Sequence, residues 1–108
     1  MEFAANPAVL VCAGDESQST QGLRRRALVL AARTQGDVTV DLRKLSFADH
    51  SLVLDLAVLA QRSRRHGSSL ILTGARPQVL ALIKHTGLNR LPAVHMAQAD
   101  RQSATAAD

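Results

Sequence analysis

Apolar residues occur along this chain in short continuous runs and in longer helically spaced stripes, and the two patterns separate strands from helices. Residues 8–13 (Ala-Val-Leu-Val-Cys-Ala) form an apolar run too short for a helix and stopped by Gly14-Asp15, which predicts a buried strand and then a polar loop over 15–18. Ser19 or Thr20 can cap a helix reaching about Arg33, with Leu23, Ala27, Leu30 and Ala31 as its inward face. Thr34-Gln35-Gly36-Asp37 ends that helix, Gly36 suiting the left-handed position after a last turn. A second strand follows over 38–42, where Val38, Val40 and Leu42 alternate with Thr39 and Asp41. Alternation implies one wetter face, although an Asp at the end of a parallel strand can also lie at a site.

Leu45 and Phe47 are expected to anchor the next loop, and a second helix is predicted over about 51–65. Val53, Leu56, Ala57 and Ala60 make its core stripe. Leu52, Leu54, Val58 and Leu59 are left over, so its first half is apolar almost all round. Such a helix is buried on more than one side or offers an apolar face to a partner, and the partner reading is preferred for a domain this small. Gly67 stops it, and residues 69–73 read as a third strand. Pro77 opens a third helix with Val79, Leu80, Ile83 and Thr86 inward, Gly87-Leu88 closes it, and 91–96 supplies a last strand. Residues 1–7 read as a lead-in with at most a short strand at Glu2-Phe3-Ala4, and 98–108 as a polar, alanine-rich tail. The order predicts one α/β domain over 8–97, a mostly parallel four- to five-stranded sheet with helices packed on it.

Composition narrows the function classes. At 108 residues and 46% hydrophobic content the chain supports a single core. With 2% aromatic residues it has no base-stacking surface, and with Cys12 as its one cysteine it can form neither an internal disulfide nor a multi-cysteine zinc site. Cys12 is expected to serve as a small core residue. The net charge of +4 invites a nucleic-acid reading, but Arg62, Arg64 and Arg65 sit where cations meet the negative end of a helix dipole. Arg24, Arg25 and Arg26, adjacent on a helix, point in three directions and read as solvated surface. No apolar run reaches the roughly 18 residues of a membrane span, and the single cysteine suits a reducing compartment, so a cytoplasmic location is expected.

Candidate chemistry gathers at Asp49, His50 and Ser51. These are the residue types of a hydrolytic triad, but neighbours in sequence rarely converge, and there is no Gly-x-Ser-x-Gly elbow. His66, His85 and His95 lack ligand spacing, and no glycine-rich phosphate loop is present. Neither catalysis nor a cofactor nor a metal is expected. A serine at a helix start can cap the helix or hold a phosphate, and Ser51 is open to both readings.

From about Val9 to Val94 the chain resembles a STAS domain of the bacterial anti-sigma factor antagonist group. The resemblance rests on the Val40-Asp41-Leu42 strand, the Phe47-Ala48-Asp49-His50-Ser51 loop, the Gly67 turn and Thr86-Gly87-Leu88-Asn89-Arg90-Leu91. It implies that Asp49 takes the family's acidic position and Ser51 its phosphoacceptor position. It further implies a partner that is both serine kinase and anti-sigma factor, docking on Asp49, His50, Ser51, Leu52, Leu54, Asp55 and Val58. His50 stands where the family has a hydroxyl residue, and Leu52 where it has glycine. The leading expectation is an anti-sigma factor antagonist switched by phosphorylation at Ser51; the departures at His50 and Leu52 favour the alternative, a STAS scaffold or subunit of a larger sensory complex that is not phosphorylated. A small basic nucleic-acid or nucleotide binder ranks last, and a homodimer is left open.

Overall fold

A computed structural model of the chain describes residues 1–97, and the tail expected over 98–108 lies outside them. Five strands form one sheet in the order β1-β2-β3-β4-β5, namely β1 (Glu2–Ala4), β2 (Val9–Glu16), β3 (Val38–Ala48), β4 (Leu70–Thr73) and β5 (Val94–Met96). β1 is antiparallel to β2, and the remaining neighbours are parallel, joined by α1 (Gln21–Ala32), α2 (His50–Arg65) and α3 (Pro77–Thr86). This is the expected α/β architecture. The first residues belong to it too, because Glu2-Phe3-Ala4 pairs with Val9 to Val11 as an edge strand.

In cross-strand register Leu10, Val40 and Leu72 lie side by side, all fully buried. They join Ala27, Ala31, Leu56, Ala60, Val79 and Ile83 in one cluster. The opposite face, carrying Val9, Thr39 and Ile71 in register, is only half-buried. At roughly 25 cal/mol per Å² of apolar surface removed from water, the first face supplies most of the driving force for folding.

β2 and β3 both outrun their expected ends. Gly14, at φ +63, lies where the register shifts, with Ser46 of β3 as the extra residue, after which pairing resumes as Asp15↔Phe47 and Glu16↔Ala48. The glycine therefore bends the strand where a turn was expected, and each strand supplies the other's backbone partners. Leu45 is buried within β3, whereas Phe47 is 52% exposed and anchors no loop.

The larger departure is in α1. Its buried residues are Arg24, Ala27 and Ala31, with Leu28 half-buried, while Leu23 is 81% exposed and Leu30 also faces solvent. The stripe keeps Ala27 and Ala31 and shifts around the axis by part of one residue step, which is about 100°, because Arg24 and Leu28 take the inward places expected of Leu23 and Leu30. In α2, Leu52, Val53, Leu56, Leu59 and Ala60 are buried, and Leu54 and Val58 are left 65% and 58% exposed. The helix is thus buried on one side and leaves an apolar face open to solvent on the other. α3 starts at Pro77 and stops at Gly87, φ +82, with Leu88 buried behind it, as expected. A 3-10 turn occupies Leu88–Arg90, so β5 begins later than anticipated.

The rotation of α1 has a direct test. Leu23→Ser should shift unfolding stability by less than about 0.5 kcal/mol, and Leu56→Ala should cost about 2–5 kcal/mol, read from urea midpoints at equal slope.

Candidate functional site

The pairing of Glu16 with Ala48 brings the turn after β2 and the start of α2 to one corner of the sheet. The Asp49 N–H donates to the Glu16 carbonyl at 3.3 Å, which fixes the entry to α2. Asp49, extended at φ −124, caps the helix: its Oδ1 accepts from the Ser51 N–H at 2.9 Å and from Ser51 Oγ at 2.6 Å. Its Oδ2 accepts from the Gln18 N–H at 2.9 Å. Ser51 is therefore the second residue of the helix, and the capping role falls to Asp49, whose carboxylate reaches the free N–H of the first turn. The Ser51 hydroxyl, and after it the Gln18 N–H, stabilise the charged form and hold the Asp49 carboxyl below the usual carboxylate range.

Arg24 lies under this corner, fully buried. Its Nε donates to Asp55 Oδ2 at 2.7 Å, and Nη2 donates to Ser51 Oγ at 2.8 Å. Nη1 donates to the Ser17 carbonyl at 2.8 Å and to Thr20 Oγ1 at 3.3 Å, with Glu16 Oε1 3.5 Å away. Glu16, also buried, meets the Met1 amino group at 2.9 Å through its other oxygen. A buried guanidinium persists only when charge and donors are both matched, and here both are. The solvated-surface reading of the arginine run therefore fails for Arg24, which is a structural cation that ties α1 to α2.

The candidate residues separate into three groups. Asp49, Ser51 and Asp55 converge on Arg24, while His50 is exposed beside them. Leu54 and Val58 form an outward ridge. Leu52, 2% exposed, packs in the core and leaves the docking surface, since the third residue of α2 faces the sheet. The Ser51 hydroxyl donates to Asp49, so the three neighbours are not wired as a triad. Asp41 lies mid-strand, not at a strand end, because β3 continues to Ala48. Hydrogen bonding to Arg43 holds its carboxyl low. Burial pushes the Cys12 thiol up to about 12, leaving it an inert core residue.

The sequence reading missed Arg24, although two signals pointed to it. It shares a stripe with Ala27 and Ala31, and Asp55 is an unexplained acid in an apolar helix that calls for a buried base.

Among the described residues, three depressions line α2, the smallest over Leu54, Ala57, Val58 and Leu91. A second, about 340 Å³, is a groove between α1 and α2. The third, about 460 Å³, lies between α2 and the end of α3 and includes His50, Leu54, His85 and Leu91.

The family described as "Mlab, STAS domain" matches residues 1–95. The chain belongs to the STAS domain family. Its fold is similar to the STAS domain of a SulP transporter from Vibrio cholerae, at 16% identity and a TM-score of 0.59, covering 81% of this chain and 72% of that one. At such identity the likeness shows the fold alone. No curated protein matches the chain. STAS membership supports a regulatory, protein-interaction module. Among the described residues of this STAS domain, no helix is long and apolar enough to cross a membrane.

Two outcomes test the corner. Arg24→Ala strands Asp55 and should destabilise by about 3–5 kcal/mol, with little rescue by Arg24→Lys, which lacks the planar fork, as read by urea unfolding. Because the Asp49 pKa is lowered on folding, its contribution is complete above the unfolded value of roughly 3.9 and is lost as pH falls through the native one. Asp49→Asn should therefore be less stable than wild type near neutrality, and the gap should close on acidification in melts taken between neutral and acid pH.

Proposed function

We propose that this STAS domain is a non-catalytic docking subunit of a larger protein assembly, engaging its partner through the ridge of α2. The observation that carries this reading is the closed hydrogen-bond set under the ridge. Ser51 Oγ donates to Asp49 and accepts from Arg24, so its hydroxyl is already committed, while Leu54 and Val58 above it stay open. Ala57, Val58 and Leu91 share one shallow depression with Leu54, which makes the ridge a continuous apolar patch. A phosphate on Ser51 would add about −1.5 to −2 charges beside Asp49, with Glu16 and Asp55 near and their one shared guanidinium fully engaged. That arrangement supports a constitutive surface over a switched one.

A second reading has its own support. Ser51 is half-buried in the first turn of α2, beside exposed His50 and next to the ridge. This is the place where the resemblance to anti-sigma factor antagonists puts a phosphoacceptor facing a serine-kinase anti-sigma factor. Under that reading, phosphorylation would remove the hydrogen bond that Ser51 Oγ donates to Asp49, set a dianion beside that carboxylate and turn the partner away.

Affinity capture with wild type, Leu54→Asp, Ser51→Ala and Ser51→Asp separates the two. The docking-subunit reading expects one recurrent partner with wild type and both Ser51 variants, capture reduced by about tenfold or more with Leu54→Asp, and an unmodified mass for the protein isolated from cells. Capture lost only with Ser51→Asp, together with phosphate on Ser51 after incubation with the captured partner and ATP, would favour the switch.

A further inference from the structure

We propose that the groove between α1 and α2 is a separate docking site for an acidic amphipathic helix of a partner protein. It shares only Val58 with the α2 ridge and does not rest on the reading above. Its floor is aliphatic: Leu28 and Leu59 lie deep, and Val29 and Val58 are 43% and 58% exposed. Arg25 rises from one wall and Arg62 from the other. Neither guanidinium has an ion-pair partner among the described residues. α1 contains no acid, and the one acid of α2, Asp55, is spent on buried Arg24 at 2.7 Å. Asp55 also lines the groove, but its charge is offset by Arg24, so Arg25 and Arg62 leave the groove net cationic over an apolar floor, which selects an occupant with an apolar stripe bordered by Asp or Glu.

The shape specifies a helix. The α1 wall runs from Gln21 to Ala32, about 16 Å at roughly 1.5 Å per residue, long enough for about three helical turns. Both walls are helices whose backbone groups are already paired, so an added strand would find no ladder, whereas side-chain ridges can seat between them. Nucleic acid fits less well, since neither α1 nor α2 carries an aromatic residue for stacking and only two cations line the groove.

The probe is a fluorescein-labelled 15-residue helical peptide with leucines on one face and glutamates beside them, compared with a twin bearing lysines. Anisotropy should give the glutamate peptide an affinity about tenfold or more above its twin, weakening with salt. Amide shifts should cluster at Leu28, Val29, Val58 and Arg62. The double variant Arg25→Glu/Arg62→Glu should reverse the preference, while Arg64→Glu/Arg90→Glu, equal in net charge and away from the groove, should stay within about twofold of wild type. Leu54→Asp should leave peptide binding unchanged, so failure of the α2 ridge and failure of this groove are read separately. Equal binding of the two peptides would overturn the proposal, as would shifts at His50, Leu54 and His85, an equal loss in both charge variants, or a duplex or single-stranded oligonucleotide displacing the peptide.

Discussion

A guanidinium without access to water must find its partners inside the protein, and each nitrogen of Arg24 does so, on the turn after β2 and at two positions one helical turn apart on α2. This one side chain sets the rotation of α1, which in turn decides which of that helix's apolar residues meet the sheet. Burying Arg24 turns Leu23 and Leu30 outward and tips Val29 toward α2. The fold accepts the lost burial because a buried cation stripped of its partners would cost more than two exposed leucines.

The same contact defines what the α2 start can do. Glu16, Asp49 and Asp55 surround one buried arginine, and Ser51 bridges Asp49 to it. A hydroxyl in that position is both reporter and constituent: altering it disturbs the interaction that holds two helices together. The corner therefore links the chemistry of one serine to the packing of α1, and it does so under a surface that presents Leu54 and Val58 to the outside.

Much of this was legible in the sequence. The strand and helix order, the Pro77 start, the Gly87 stop and the burial of Leu88 all follow from local rules that the tertiary structure does not overrule. Three features escaped for distinct reasons. Gly14-Asp15 carries the composition of a turn, yet a parallel neighbour was available to continue the ladder, and long-range pairing is invisible in local composition. Arg24 was set outside because a charged residue is assigned to solvent unless its partners are known, and those at Asp55 and Ser51 lie 31 and 27 residues away. Leu52 was placed on the surface because a helix apolar on several sides does not say which side meets the sheet. At the start of α2, local pattern places Asp49 and Ser51 at a helix entry, while Arg24, the cation that organises them, is hidden by its distance along the chain.

The outer strands of the sheet have a consequence for association. β1 and β5 are the edges, with three residues each, beside a central β3 of eleven. Edges that short give a foreign strand few rungs to climb, so among the described residues the backbone offers little template for uncontrolled polymerisation. Recognition is thereby left to side chains on helices, which discriminate among visitors in a way that a bare main-chain ladder does not.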